Sequence, residues 1–272
     1  MSKDSIITTE GVTVSFGDFQ ALKGIDVKIK QGEIMIILGP SGSGKSTFIR
    51  TLNRLQPHDG GRVIVDGIEL NEDTTVADLK HVRSEIGFVF QQFNLFPHLT
   101  VLENVALGPQ KVKGMAKGEA EKRADDWLGR LGLGRFGDRY PRQLSGGQRK
   151  RVAIAQVLAL APRLLLMDEP FASLDAIVRA RLTEELLEWV EKEQLTVLLV
   201  THDLEEAIGV SDVVYVLSHG PRASVRARHE VAIDRPRHMI EVRQHAVFGT
   251  LMEALWAQLA EEPVASDGAG TL

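Results

Sequence analysis

The stretch GPSGSGKST, from Gly39 to Thr47, sets glycines, hydroxyls and one lysine at the spacing G-x-x-x-x-G-K-[ST]. It follows the apolar run EIMIILG and precedes FIRTLNRL, which has helical periodicity. That context suits phosphate chemistry. Backbone N–H groups at a helix start wrap phosphate oxygens, Lys45 reaches the β and γ oxygens, and the Ser46 hydroxyl ligates Mg²⁺. Gly39, Pro40, Ser41, Gly42, Ser43, Gly44, Lys45, Ser46 and Thr47 are the candidate nucleotide residues. A second stretch, LSGGQRKRVAIAQVLA, opens with a Ser-Gly-Gly turn at Ser145–Gly147 and continues as a periodic helix. Serine is a favoured N-cap, and glycines let a ligand approach the backbone. One chain therefore carries two helix starts suited to an anion.

Two acids end the apolar run LLLMDE. Ligands of open α/β sheets collect at the carboxyl ends of strands. Asp168 there is suited to hold Mg²⁺, directly or through water, and Glu169 to polarise an attacking water. The alternative is a pair of solvated acids capping a strand. His202 ends TVLLVTH, where it can hydrogen-bond a γ-phosphate or stand exposed. Gln91 follows IGFVF and either touches the metal or its water, or is an ordinary polar strand end. Phe16, in VSFGDFQAL, either stacks on a base or joins the core. The other histidines have no metal-ligand spacing on a common face.

These residues need strands to carry them. GVTVSF, IDVKIK and EIMIILG read as strands, and GRVIVDGIEL as a hairpin turning at Asp66-Gly67. VADLKHVRSE reads as a short helix. From Val101 to Leu160 the periodicity is helical. RLLLMDEP and TVLLVTH are continuous apolar runs, as in strands buried on both faces of a parallel sheet, with the amphipathic RARLTEELLEWVEKE between them. The pattern is an α/β core with a helical insertion.

The chain has 272 residues, a net charge of -5 and no cysteine. That excludes a disulfide framework or a thiolate metal site, and argues against a protein built to wrap nucleic acid. The polar start MSKDSIITTEG lacks the apolar region of a signal peptide, and no run approaches the roughly 18 apolar residues of a membrane span. A soluble protein is expected, with any membrane role through a partner. The tail EEPVASDGAGTL is expected to fray. The basic stretch HGPRASVRARHEVAIDRPRH reads as solvated strand faces or as an anionic-lipid patch.

Taken together, the phosphate loop at Gly39–Thr47, Gln91 in VFQQ, LSGGQ at Leu144–Gln148, the acids Asp168–Glu169, SLD at Ser173–Asp175 and then His202 resemble the ATP-binding subunit of ABC transporters. The resemblance covers nearly the whole chain. It implies an α/β fold: a P-loop NTPase core of ABC ATPase type, with an antiparallel β-subdomain and a helical subdomain insertion. The ATPase domain would span 1–245, the helical insertion about 93–158, and a C-terminal helix and tail 246–272. It implies an ATPase using ATP and Mg²⁺. Phe16 would stack on adenine. Ser46, Gln91 and Asp168 would serve the metal, and Glu169, His202 and Gln91 the chemistry.

It further implies a head-to-tail pair of copies. Leu144, Ser145, Gly146, Gly147 and Gln148 of one chain would close on the ATP held by the other, with Ser173, Leu174 and Asp175 at the interface. That would make the two helix starts halves of one site. Integral-membrane permease subunits and a periplasmic or extracellular solute-binding protein would complete the assembly, with this subunit peripheral on the cytoplasmic face of the cell membrane. No nucleic-acid partner is implied. Phe93, Leu95 and Phe96, read as exposed, are candidate permease contacts. Two features depart from the common pattern. Arg149 and Lys150 stand where relatives more often have glutamines, while Gln156 replaces a common arginine. IGFVFQQFNLFPHLTVLENVALGP is similar to polar amino-acid importers, whereas THDLEEAIGVSDVVYVLS and RPRHMIEVRQHAVFGTLMEALW are similar to nitrate, sulfonate and taurine importers.

Overall fold

The computed structural model describes residues 5–172 and 174–260. Ser173 and the tail therefore lie outside the described residues. The chain opens with β1 (Ser5–Phe16), β2 (Phe19–Lys30) and β3 (Ile34–Leu38), followed by α1 (Lys45–Thr51). Next come β4 (Gly60–Val65), β5 (Ile68–Glu69), α2 (Val76–Glu85) and β6 (Ile86–Val89). Helices α3 (Val101–Lys111), α4 (Lys117–Arg130) and α5 (Gly146–Leu158) precede β7 (Leu164–Asp168). The remainder is α6 (Ala176–Lys192), β8 (Thr196–Thr201), α7 (Leu204–Val210), β9 (Val213–Leu217), β10 (Val225–Glu230), α8 (Met239–Gln244) and α9 (Ala246–Ala260).

Two sheets form. An antiparallel sheet runs β2-β1-β4-β5, and a second runs β10-β9-β3-β8-β7-β6. The second is parallel except at its edge, where β10 pairs antiparallel with β9. Its central strands explain their composition. Ile34, Ile36 and Leu38 face one apolar layer with α3 to α7, while Met35 and Ile37 face the other, with α1 and the antiparallel sheet. Both faces are dry, so alternation disappears and the run is apolar throughout.

β1 and β2 are longer than the alternation predicts. Their pairing shifts register between Thr9 and Val12, next to Gly11 with φ 59°, so the apolar period breaks while the ladder continues. The Asp66-Gly67 turn has φ 49° and 79° at its two central residues, as a primed hairpin requires. β10 alternates half-buried and exposed residues, which fits solvated strand faces. Beyond it Arg237 is buried, and both Arg235 and Arg237 pair with Asp212, so these two arginines do not form an open lipid-facing patch. Among the described residues no helix is long and apolar enough to cross a membrane.

Candidate functional site

β3, β8 and β7 are neighbours, and each ends in candidate residues on the same edge of the sheet. The loop after β3 starts α1 with Gly44 as N-cap at φ 79°. A side chain there is disfavoured on two counts. The backbone is left-handed, and a Cβ would lie 2.6 Å from Leu22 Cδ2. Lys45 is 5% exposed, and its Nζ donates to the carbonyls of Gly39 and Pro40, both at 2.8 Å. Burial lowers the Lys45 pKa, opposed by the nearby charges of Glu169 and Asp168. The lysine thus crosses its own loop and feels both acids.

Asp168 is 1% exposed at the end of β7. The Ser46 hydroxyl donates to its Oδ1 at 2.6 Å, and Arg50 Nη2 lies 3.1 Å from its Oδ2. A hydroxyl and a carboxylate side by side are a hard-oxygen pair, and Mg²⁺ takes one or two such ligands together with substrate phosphates. The pair therefore fits the ion. Glu169 has φ 44°, a left-handed backbone rare for a residue with a side chain, and its N–H donates to Val200 at 3.0 Å. Its Oε2 stands 3.5 Å from Nδ1 of the exposed His202. These contacts gather Lys45, Ser46, Asp168, Glu169 and His202 into one centre.

The other candidates stand apart from it. Phe16 is 50% exposed, paired across a tight turn with Phe19, itself 53% exposed. Gln91 lines an open cleft of about 960 Å³ with Phe93, Pro97, Arg142, Gly146 and Arg149. Among the described residues no hydrogen bond joins Gln91 to Ser46 or Asp168. Phe93 and Leu95 prove half-buried rather than exposed, because Phe93 packs beneath the guanidinium of Arg149 at 4.9 Å; Phe96 is exposed. Ser145 caps α5: its hydroxyl accepts from Gln148 N–H at 3.3 Å, and Gln148 Oε1 accepts from Ser145 N–H at 2.9 Å. Leu144 is buried beneath this turn, and a Cβ on Gly147 would lie 3.1 Å from Val178. No described hydrogen bond or ion pair joins Leu144–Gln148 to Gly39–Thr47. Asp175 caps α6 by accepting from Val178 N–H at 3.0 Å, and Leu174 is buried.

Three residues near the centre escape sequence reasoning. Arg50 reads as an ordinary basic helix end. Lys150 is fully buried, although lysine in a helix normally signals solvent. Glu206 is buried in α7 beside Thr201, and its Oε1 has no partner. Burial raises its pKa to about 7. The Thr201 hydrogen bond and Arg179 oppose this, while Asp203 and Glu169 add to it.

Comparison with known proteins follows the same lines. The ABC transporter family profile matches residues 22–172. The chain is 45% identical over 218 residues to the glutamate transport ATP-binding protein of Corynebacterium glutamicum, covering 79% of this chain and 88% of that one. It is 44% identical over 232 residues to a probable sulfate/thiosulfate import ATP-binding protein of Chlorella vulgaris, covering 85% and 94%. A dimeric ATP-binding cassette solved in a post-hydrolysis state with ADP and phosphate superposes with a TM-score of 0.74 at 38% identity, covering 84% of this chain and 100% of that one.

Proposed function

The chain belongs to the ABC transporter family, and from that premise we propose that it drives import of a small polar solute, polar amino acids foremost, through separate permease subunits. It is an ATPase of the ABC type, turning ATP and water into ADP and phosphate. The observation that carries the site reading is the convergence of Ser46 on Asp168 and of His202 on Glu169, at the ends of β7 and β8 beside the phosphate loop.

In this reading Gly39–Thr47 bind the phosphates and Phe16 the adenine. Ser46, Asp168 and, on closure, Gln91 serve Mg²⁺, which when bound neutralises charge on the β and γ oxygens. Lys45 exchanges its two loop carbonyls for phosphate oxygens. Glu169 orients the attacking water and accepts its proton, while His202 steadies the carboxylate and reaches the γ-phosphate. Catalysis is positioning and electrostatic stabilisation. Two copies pair head to tail, so that Leu144–Gln148 of one chain complete the site of the other, with 173–175 at the interface. The likeness to a cassette solved as a dimer, at 38% identity, supports this. Residues 1–245 form the ATPase domain, with 93–158 as its helical subdomain, and 246–272 are an appendage. The subunit sits on the cytoplasmic face of the membrane and serves a solute-binding protein as well as the permease.

The solute reading rests on the glutamate-transport relative and on the QQFNLFPHLT segment. The sulfate/thiosulfate relative favours a second reading, import of an oxyanion or a sulfonate. The experiment is to copurify the subunit with its permease, reconstitute the complex with the matching binding protein, and measure ATP hydrolysis with glutamate, glutamine, sulfate or taurine supplied. Stimulation by the amino acids alone is expected. Stimulation by sulfate or taurine alone would establish the second reading.

A further inference from the structure

Lys150 lies in α5, the helix that the signature stretch LSGGQ begins, and is 0% exposed. Its Nζ donates to the carbonyl of Phe90 at 2.7 Å, and it stands 5.8 Å from the centre of the Phe93 ring. Arg149 covers the same ring at 4.9 Å. Phe90 and Phe93 flank Gln91. Two consecutive basic residues of the signature helix therefore hold the backbone on one side of Gln91 and the aromatic on the other. Among the described ion pairs none includes Lys150. Burial lowers its pKa to about 8, opposed by the charge of Asp168. A buried ammonium with one carbonyl and one ring face is a poor device for stability, since desolvation exceeds what such partners return. Apolar side chains of the same length would fill the space at lower cost.

We propose that Lys150 is a positioning residue that tethers the Gln91 loop to the signature helix, so that a shift of that helix is delivered to Gln91. The proposal rests on the reading of Gln91 as part of the ATP site. The tether is the hydrogen bond to Phe90. The Phe93 contact with Arg149 keeps the loop from rotating about it. The cost of burying the charge is then the cost of a rigid link between two parts of the chain that otherwise meet across an open cleft.

The experiment compares Lys150→Met, which matches the chain as far as Cε and loses the donor, with Lys150→Gln, which has the same reach as methionine and keeps a neutral N–H donor. Gln91→Ala and the double variant Gln91→Ala/Lys150→Met complete the set. Hydrolysis, nucleotide affinity and the melting temperature without nucleotide are measured for each. Lys150→Met should lower kcat about tenfold with KM and affinity for ATP within about twofold, the signature of a group that acts after binding. Its melting temperature should equal or exceed the parent's. Lys150→Gln should recover most of the kcat. The double variant should be no slower than Gln91→Ala alone, because both changes remove one connection. Three results overturn the tether: parental kcat in Lys150→Met, equal losses in Lys150→Met and Lys150→Gln, or losses that multiply in the double variant. A melting temperature that falls together with kcat in Lys150→Met marks a merely structural role and also overturns it. Parental kcat in Gln91→Ala overturns the reading of Gln91 and the tether with it. A slow Gln91→Ala beside a fully active Lys150→Met overturns the tether alone.

Discussion

Glu169 is held in a backbone conformation that side chains rarely adopt, with its N–H bonded to Val200 and its carboxylate 3.5 Å from His202. Strain of this kind persists only where the surroundings enforce it, and it clusters at functional sites. Here it keeps the carboxylate near the glycine loop, where its charge acts on Lys45. Glutamine at this position keeps the shape but cannot accept a proton. Glu169→Gln should therefore slow hydrolysis on the order of a hundredfold or more. ATP binding should survive, and an ATP-bound dimer should persist, seen by size-exclusion chromatography. Hydrolysis within a few-fold of the parent would sink the assignment. Lys45→Ala acts earlier. It removes the charge proposed to reach the phosphates and the two bonds that Lys45 makes to its own loop, so nucleotide affinity itself should be lost. Affinity unchanged by equilibrium binding would count against the phosphate-loop role.

At the scale of elements, α7 and the loop before α3 make separate predictions. Glu206 has a folded pKa of about 7 against a usual 4.5. The folded state holds its proton more tightly, so its contribution is complete below about pH 4.5 and is lost as pH rises through 7. Glu206→Gln should flatten that fall, stabilising the protein at pH 8 relative to the parent and changing little at pH 4.5; parallel melting curves across this window would refute it. The loop is organised by the buried Asn104. Its Oδ1 accepts from Phe96 N–H at 2.8 Å, and its Nδ2 donates to the carbonyls of Phe96, Leu99 and Thr100. A loop so pinned presents Phe96 to solvent in one place, as an anchor for a partner needs. Phe96→Ser should keep basal ATPase activity and lose transport in reconstituted vesicles. Loss of the folded protein would instead show that Phe96 is a packing residue. What was legible in the sequence follows the same physics. β3, β7 and β8 announce themselves because a strand buried on both faces must be apolar throughout. The glycine loop and the Asp66-Gly67 turn announce themselves because their backbones need particular residues. β1 and β2 hide half their length behind bulges that break the period. α7 is one short helix whose buried acid has no sequence signal, and Lys150, although it departs from the family pattern, breaks the rule that lysine faces water, so its burial was not legible.

At the scale of the whole molecule the question is whether one chain completes its own site. Ser145 and Gln148 satisfy each other across the first turn of α5, and no described hydrogen bond carries that turn to the phosphate loop of the same chain. If a second copy supplies the missing half, defects should complement between chains in a fixed way. Lys45→Ala on one chain and Ser145→Arg on the other serve the test, the arginine obstructing a turn where backbone and phosphate must come close. In either homodimer every site contains the damaged element. In a head-to-tail mixed dimer both defects fall in one site, and the other combines an intact Lys45 from one chain with an intact Ser145 from its partner. A cis arrangement gives the opposite result, since each chain then carries one defective site of its own. Nucleotide trapped by vanadate in doubly tagged dimers reads this without requiring both sites to turn over. Mixed dimers should trap about half the nucleotide of the parent dimer, one intact site of the two a twofold pair contains, against almost none in either homodimer. No trapping in dimers shown to be mixed would mean a cis role for the signature turn, or strict dependence of each site on the other. Binding of ATP without vanadate separates those two. Under strict dependence the intact shared site still holds ATP in the mixed dimer, whereas in the cis arrangement ATP is held only by the chain with Lys45 intact and gains nothing from its partner.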